Sequence, residues 1–145
     1  MIDPELVTRK MVLISRDLNA MATIARKALD TYLASATDEV LGERWLERMI
    51  GRMIDINYHL ITEAGQPPPR DYYESFVQLA PLGVLPPAFA SRIAACAGLR
   101  NRIVHEYDEI DPERVHAALQ VAAVEIPEYL TFVHRYLEQL PLPGK

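Results

Sequence analysis

The sequence predicts an all-α protein, an antiparallel bundle of four long helices and one short one. Apolar residues recur at alternating spacings of four and three along most of the chain. No segment of useful length alternates apolar with polar residues as a half-buried strand would. Cap residues and proline-rich connectors fall where one apolar stripe stops and the next begins.

The first helix starts with Asp3 as cap and Pro4 at the first helical position. Its stripe is Val7, Met11, Ile14, Leu18, Met21, Ala25, Ala28 and Tyr32. The run "ASATD" breaks it, and Thr37 or Asp38 is the next cap. The second helix covers Asp38 to Ala64 on Leu46, Met49, Met53, Ile56 and Leu60, with Gly65 as its stop. "GQPPPR" is a stiff connector, because each proline fixes φ and removes a donor. A short helix in "DYYESFVQLAPLGVLPP" follows, terminated by Pro81 to Pro87. The third long helix is expected from Ala88 to Tyr107. Asp111 then caps the last, with Pro112 at its first position and a stripe of Val115, Leu119, Ala122, Ile126, Tyr129, Val133, Tyr136 and Leu140. Pro127 should kink or split that helix, and "PLPGK" reads as a tail. Helices of this length span about 40 Å at 1.5 Å per residue. Seams that long in so small a chain invite a partner helix, so a homodimer is expected.

The 145 residues suit one domain, 1–145, and 50% hydrophobic with 24% charged residues is globular composition. Cys96 is alone, so no internal disulfide forms, which fits a reducing, cytoplasmic setting. In "RIAACAGL" that cysteine reads as a small buried hydrophobe. The N-terminus lacks the basic-then-apolar order of a signal peptide, and no run of about 18 apolar residues spans a membrane. The net charge of −5 runs against a general nucleic-acid binder, so any RNA contact must use a local basic patch.

The stretch "GLRNRIVHEYDEID" departs from the oily, Ala-rich sequence before it. Asn101 and His105 are four apart and share a helix face. Arg100 and His105 are five apart and diverge by about 140° on a straight helix, though a long guanidinium can reach beside the imidazole. Histidine moves protons near neutrality, arginine grips phosphate through a planar fork, and asparagine orients the histidine or donates to phosphate oxygen. The set suits RNA cleavage in which the histidine handles the proton of the ribose 2′-hydroxyl or of the leaving oxygen. A structural cap at a helix end explains the same residues. His59, His105, His116 and His134 are scattered, with neither HExxH nor a Cys/His cluster, so no metal site and no cofactor are expected.

"RNRIVHEY" resembles the signature of HEPN-domain proteins, and with its trailing tyrosine it is similar to the HepT branch, the toxins of HepT/minimal-nucleotidyltransferase pairs. Length, helix order and motif placement agree over nearly the whole chain. The resemblance implies a HEPN-like helical homodimer whose two motifs meet across a cleft. It also implies a metal-independent ribonuclease acting on cellular RNA, tRNA among it, with Arg100 and His105 as the catalytic pair and Asn101 as the polar residue beside the arginine. Tyr107 matches the tyrosine that the partner nucleotidyltransferase antitoxin modifies with AMP. Negative phosphates there would repel RNA.

Other features stay open between two readings. Arg44, Arg48 and Arg52, four apart on the second helix, form either an RNA track or contact with an acidic antitoxin, or a solvated face paired with Glu43 and Glu47, and Arg102 is a further candidate RNA contact. Asp55 and His59 form either an ion pair behind the cleft or a local structural pair. Tyr72 and Tyr73 either stack a base or pack a loop. Trp45 belongs to core or seam, and His116 and His134 to surface or seam. The competing functional reading is an inert helical module that partners a nucleotidyltransferase, and the acidic net charge favours it.

Overall fold

The computed structural model describes residues 1–141; residues 142–145, which hold most of the expected tail, lie outside it. The elements are α1 (Pro4–Ala25), α2 (Leu29–Leu33), α3 (Ala36–Glu63), α4 (Tyr72–Val77), α5 (Pro87–Ile93), α6 (Ala95–His105), a 3-10 turn (Tyr107–Glu109) and α7 (Pro112–Glu138). The chain is all-helical, as the periodicity predicts, and no strand occurs among the described residues. Helix α1 packs on α3 and α7, while α4 and α6 pack on α3. The core runs along these contacts through Ile14, Met21, Leu46, Met49, Met53, Ile56, Leu60, Leu119, Ile126, Tyr129 and Val133, none of which is exposed to solvent.

Several boundaries follow the sequence closely. The Asp3 carboxylate accepts from the Glu5 and Leu6 amides, and that of Asp111 from the Glu113 amide. Gly65 ends α3 at φ 84°, and the Gln66 amide reaches back to the Ile61 carbonyl at 3.2 Å, a left-handed stop that suits a residue without Cβ. Pro127 sits inside α7 without splitting it.

Four expectations are corrected. The first helix does not continue to Tyr32: it stops at Ala25, and Ala28 turns extended at ψ 154°. Tertiary contacts capture the chain there, since the Lys27 ammonium pairs with Asp38 at 2.7 Å and its carbonyl meets His116 Nε2 at 2.8 Å. Ser35, rather than Thr37 or Asp38, caps α3 by accepting from the Asp38 amide. The third long helix is two helices, because the Ala97 amide bonds the Ala94 carbonyl three residues back and tightens the turn between α5 and α6. Finally, His116 is buried at 6% exposure, with its ring 5.1 Å from that of Tyr32, so it is a core residue. His134 is exposed and pairs with Glu138, as a surface residue should.

Candidate active site

Helix α6 carries the predicted run, and its geometry divides it. Ala97 and Ile103 are its buried residues. The Glu106 amide makes the last helical bond, to the Arg102 carbonyl at 2.8 Å, and the Glu109 amide then closes the 3-10 turn on the Glu106 carbonyl. Tyr107 therefore lies on that turn and does not close the helix, and it is 67% exposed. Asn101, Arg102 and His105 are exposed as well.

Arg100 points elsewhere. Its guanidinium lies over the Tyr72 ring, 5.3 Å from the centroid, and its Nε is buried without a hydrogen-bond partner among the described residues. It lines an open groove of about 630 Å³ with Glu47, Arg48, Gly51, Arg52, Ile54, Asp55, Tyr58 and Tyr72, and His105 does not line that groove. Within this chain Arg100 lines the groove and His105 lies outside its lining. Tyr72 on α4 gives the Arg100 cation an aromatic face to lie on.

The arginines of α3 separate too. Arg48 Nε and Arg52 Nη1 reach across to Asp17 Oδ2 on α1, at 3.3 and 2.7 Å. Only Arg44 takes the local pairing, with Glu47 at 3.3 Å. Arg48 and Arg52 share the groove of Arg100; Arg44 does not. Arg102 lines a different cavity of about 510 Å³ between α6 and α7, beside Cys96, Glu106, Glu109 and Arg114. Asp55 and His59 do not form an ion pair: Asp55 takes Lys10 at 3.2 Å, and His59 Nε2 accepts the Asp3 amide at 2.9 Å. Trp45 is half-buried against the core, with Arg48 stacked 5.4 Å from its ring centre. Tyr72 packs edge-on to Tyr58 at 6.3 Å, and Tyr73 is exposed.

Sequence reasoning missed three polar residues that build this arrangement. Asp17 is 2% exposed and anchors both α3 arginines. Its signal was a carboxylate placed three after Ile14 and four before Met21, inside the buried face of α1. Asn57 and Ser75 are fully buried. The Asn57 amide donates to Ser75 Oγ at 3.2 Å, and Ser75 Oγ donates to the Tyr72 carbonyl at 2.6 Å. Tyr129 on α7 donates to Asn57 Oδ1 at 2.6 Å. This line fixes α4, and with it the ring under Arg100. Burial, and then Tyr72 and the nearby carboxylates, push the Tyr58 phenol above its ordinary value, so it remains a neutral hydroxyl in the groove. Among the described residues no three His, Cys, Asp or Glu side chains are grouped to hold a metal ion, and no helix is long and apolar enough to cross a membrane.

An all-helical chain with an Arg–Asn–…–His run at an exposed helix end has the layout of HEPN-type proteins. In solved structures the fold matches that of the tri-AMPylated Shewanella oneidensis HEPN toxin in complex with MNT antitoxin, with a TM-score of 0.82, 19% identity, and coverage of 92% of this chain and 99% of that one. It also matches the Bacillus subtilis cytosolic protein YutE, of unknown function, with a TM-score of 0.84, 14% identity, and coverage of 99% and 98%. The sequence pattern described as Ribonuclease HepT-like matches residues 14–136. The tRNA nuclease HepT of Aphanizomenon flos-aquae (strain 2012/KM1/D3) is 35% identical over 136 residues, 94% of this chain and 92% of that protein. The chain belongs to the HepT-like ribonuclease family.

Proposed function

We propose that this ribonuclease is the toxin of a toxin–antitoxin pair and that it cuts cellular RNA, tRNA in the first place, without a metal ion. The observation that carries the reading is the placement of "RNRIVHEY" in a HepT-like chain: Asn101 and His105 reach solvent at the end of α6, and Arg100 faces an open groove. In the reaction the 2′-oxygen bonds to phosphorus while the bond to the 5′-oxygen breaks. His105 takes the 2′-hydroxyl proton or supplies one to the departing oxygen. Arg100 offsets the charge on the five-coordinate phosphorus, and Asn101 orients the imidazole or a phosphate oxygen.

We propose further that the working unit is a homodimer. In one chain Arg100 lines the groove and His105 does not, so the arginine of one copy and the histidine of the other would complete the centre across a shared cleft. The relatives' HEPN toxin is tri-AMPylated beside its MNT antitoxin. Tyr107, exposed on its 3-10 turn, is the residue we assign to the same modification by a minimal nucleotidyltransferase. Phosphates added there would repel RNA from α6.

The test is cleavage of total RNA by the purified protein, with and without chelator. Native protein should cut in both conditions, and Arg100→Ala and His105→Ala should cut in neither while keeping the helical circular dichroism. Equal cleavage by native and variant proteins removes both assignments, and intact RNA throughout leaves the inert-module reading. Incubation with the nucleotidyltransferase and ATP should add AMP mass to a peptide containing Tyr107. A mass gain confined to another peptide removes that assignment.

A further inference from the structure

We infer that the groove between α3, α4 and α6 is a subsite for a second phosphate of the RNA chain, next to the linkage that is cut and gripped by Arg48 and Arg52. The inference rests on the nuclease reading and adds to it a site for the flanking nucleotide.

Charge makes the first argument. The protein as a whole carries −5, yet both carboxylates that line this groove, and the one beneath it, already have a cation. Asp55 holds Lys10, Glu47 holds Arg44, and the single charge of Asp17 is shared by Arg48 and Arg52. One positive charge is left from that trio, and Arg100 adds another, since it makes neither a hydrogen bond nor an ion pair among the described residues. The three arginines that line the groove outnumber its two lining carboxylates by one, so this surface of an acidic protein is the local patch that an RNA ligand needs.

Preorganisation makes the second. Asp17 lies almost wholly buried beneath the arginine heads and fixes them from below, while the side chains stay 35% and 21% exposed on the groove side. Tyr72 does the same for Arg100 from the α4 side, and its backbone is tied down through Ser75. Guanidinium donors held this way lose little freedom on meeting a phosphate. The volume of about 630 Å³ falls in the range of small-ligand sites, and the Tyr58 phenol, whose proton goes to the Pro69 carbonyl at 3.5 Å, lines it as a neutral group. Arg102 lines another cavity, and Arg44 contributes only by pairing with Glu47.

Gly51 provides a test that leaves the Asp17 pairs intact. It lines the groove, and a Cβ built there meets nothing within 4 Å. Gly51→Glu places a carboxylate among the arginines, and Gly51→Gln places the same bulk without charge. In a His105→Ala background, which prevents cleavage, each is titrated with an RNA dinucleotide carrying one phosphate and a trinucleotide carrying two. With Gln, the trinucleotide should bind several-fold tighter than the dinucleotide. With Glu, that gain should vanish, and the slope of log Kd against log salt should fall by about 0.7, the value of one single-strand phosphate contact. Arg48→Gln, which leaves Asp17 to Arg52, should lose the same gain. If RNA binds but the Glu and Gln variants bind both oligonucleotides alike, the subsite is refuted and the nuclease reading stands. If no oligonucleotide binds to any variant, both fall.

Discussion

Tyr129→Phe removes one oxygen from the bottom of the core. That hydroxyl is fully buried and gives its single proton to Asn57 Oδ1 at 2.6 Å; the Met53 carbonyl, at 3.2 Å, is the weaker alternative. Burial pushes the Tyr129 phenol well above its ordinary 10.0, so it remains a donor at every physiological pH. In the variant the Asn57 carbonyl keeps its place, because its amide still donates to Ser75, but it has lost its partner where water does not reach. An unpaired buried acceptor costs about 1–3 kcal/mol, and the void left by one oxygen adds little. At about 3 °C per kcal/mol for a chain of this size, the midpoint of thermal unfolding should fall by about 3–9 °C. Circular dichroism at 222 nm measures it, with urea unfolding at an unchanged slope as the check on two-state behaviour. The double variant Tyr129→Phe/Asn57→Leu removes both partners and should cost less than the two single changes summed. A midpoint within about 1 °C of native for Tyr129→Phe, or a double variant that costs the full sum, would refute the reasoning.

Tyr32 presents the converse case: its hydroxyl is buried and unpaired among the described residues, so Tyr32→Phe should raise stability by about 1 kcal/mol in urea unfolding. Burial, and then Glu43, Glu39 and Asp38, push the Tyr32 phenol up to about 12. The folded state therefore holds this proton more tightly than the unfolded state. The stabilisation is complete below pH 10 and is lost between about 10 and 12. Tyr32→Phe should flatten the alkaline fall in unfolding midpoint, and parallel native and variant curves would count against it. Burial, and then Glu125, push the Cys96 thiol up to about 12 as well. At pH 8 a disulfide reagent should label it at least about a hundredfold more slowly in the native protein than in guanidinium, and equal rates would disprove the raised thiol. Asp17→Asn should cost about 1–3 kcal/mol, below the figure for a wholly enclosed ion pair because Arg48 and Arg52 keep some water. An unmoved urea midpoint would mean that the arginines do not need the carboxylate.

The architecture was legible because its signals are local. Asp3, Gly65 and Asp111 each act within a few residues of their own position, and a four–three stripe needs nothing beyond its own helix. The boundaries that failed depend on distant residues. No feature of "ARKALD" announces that Lys27 will be held at both ends, by Asp38 and by His116. The site divides the same way. Arg100, Asn101, His105 and Tyr107 stood out because they interrupt an apolar run, and three of them are exposed. Where the Arg100 guanidinium goes depended on Tyr72, 28 positions earlier, and on a buried line of Asn57, Ser75 and Tyr129 that looks like ordinary helix sequence. The arginine row on α3 was visible, but the carboxylate that gathers two of its members lies on another helix.

Helix α6 buries only Ala97 and Ile103 among its 11 residues, whereas α3 buries 11 of 28. Backbone amides open where few apolar contacts hold them closed, so hydrogen exchange should be faster in α6 than in α3. Anything that clasps the C-terminal half of this helix and the turn after it, from Arg100 to Tyr107, closes openings there. Occupancy of the site is thereby written into the rigidity of a whole helix as well as into the few side chains that touch the ligand.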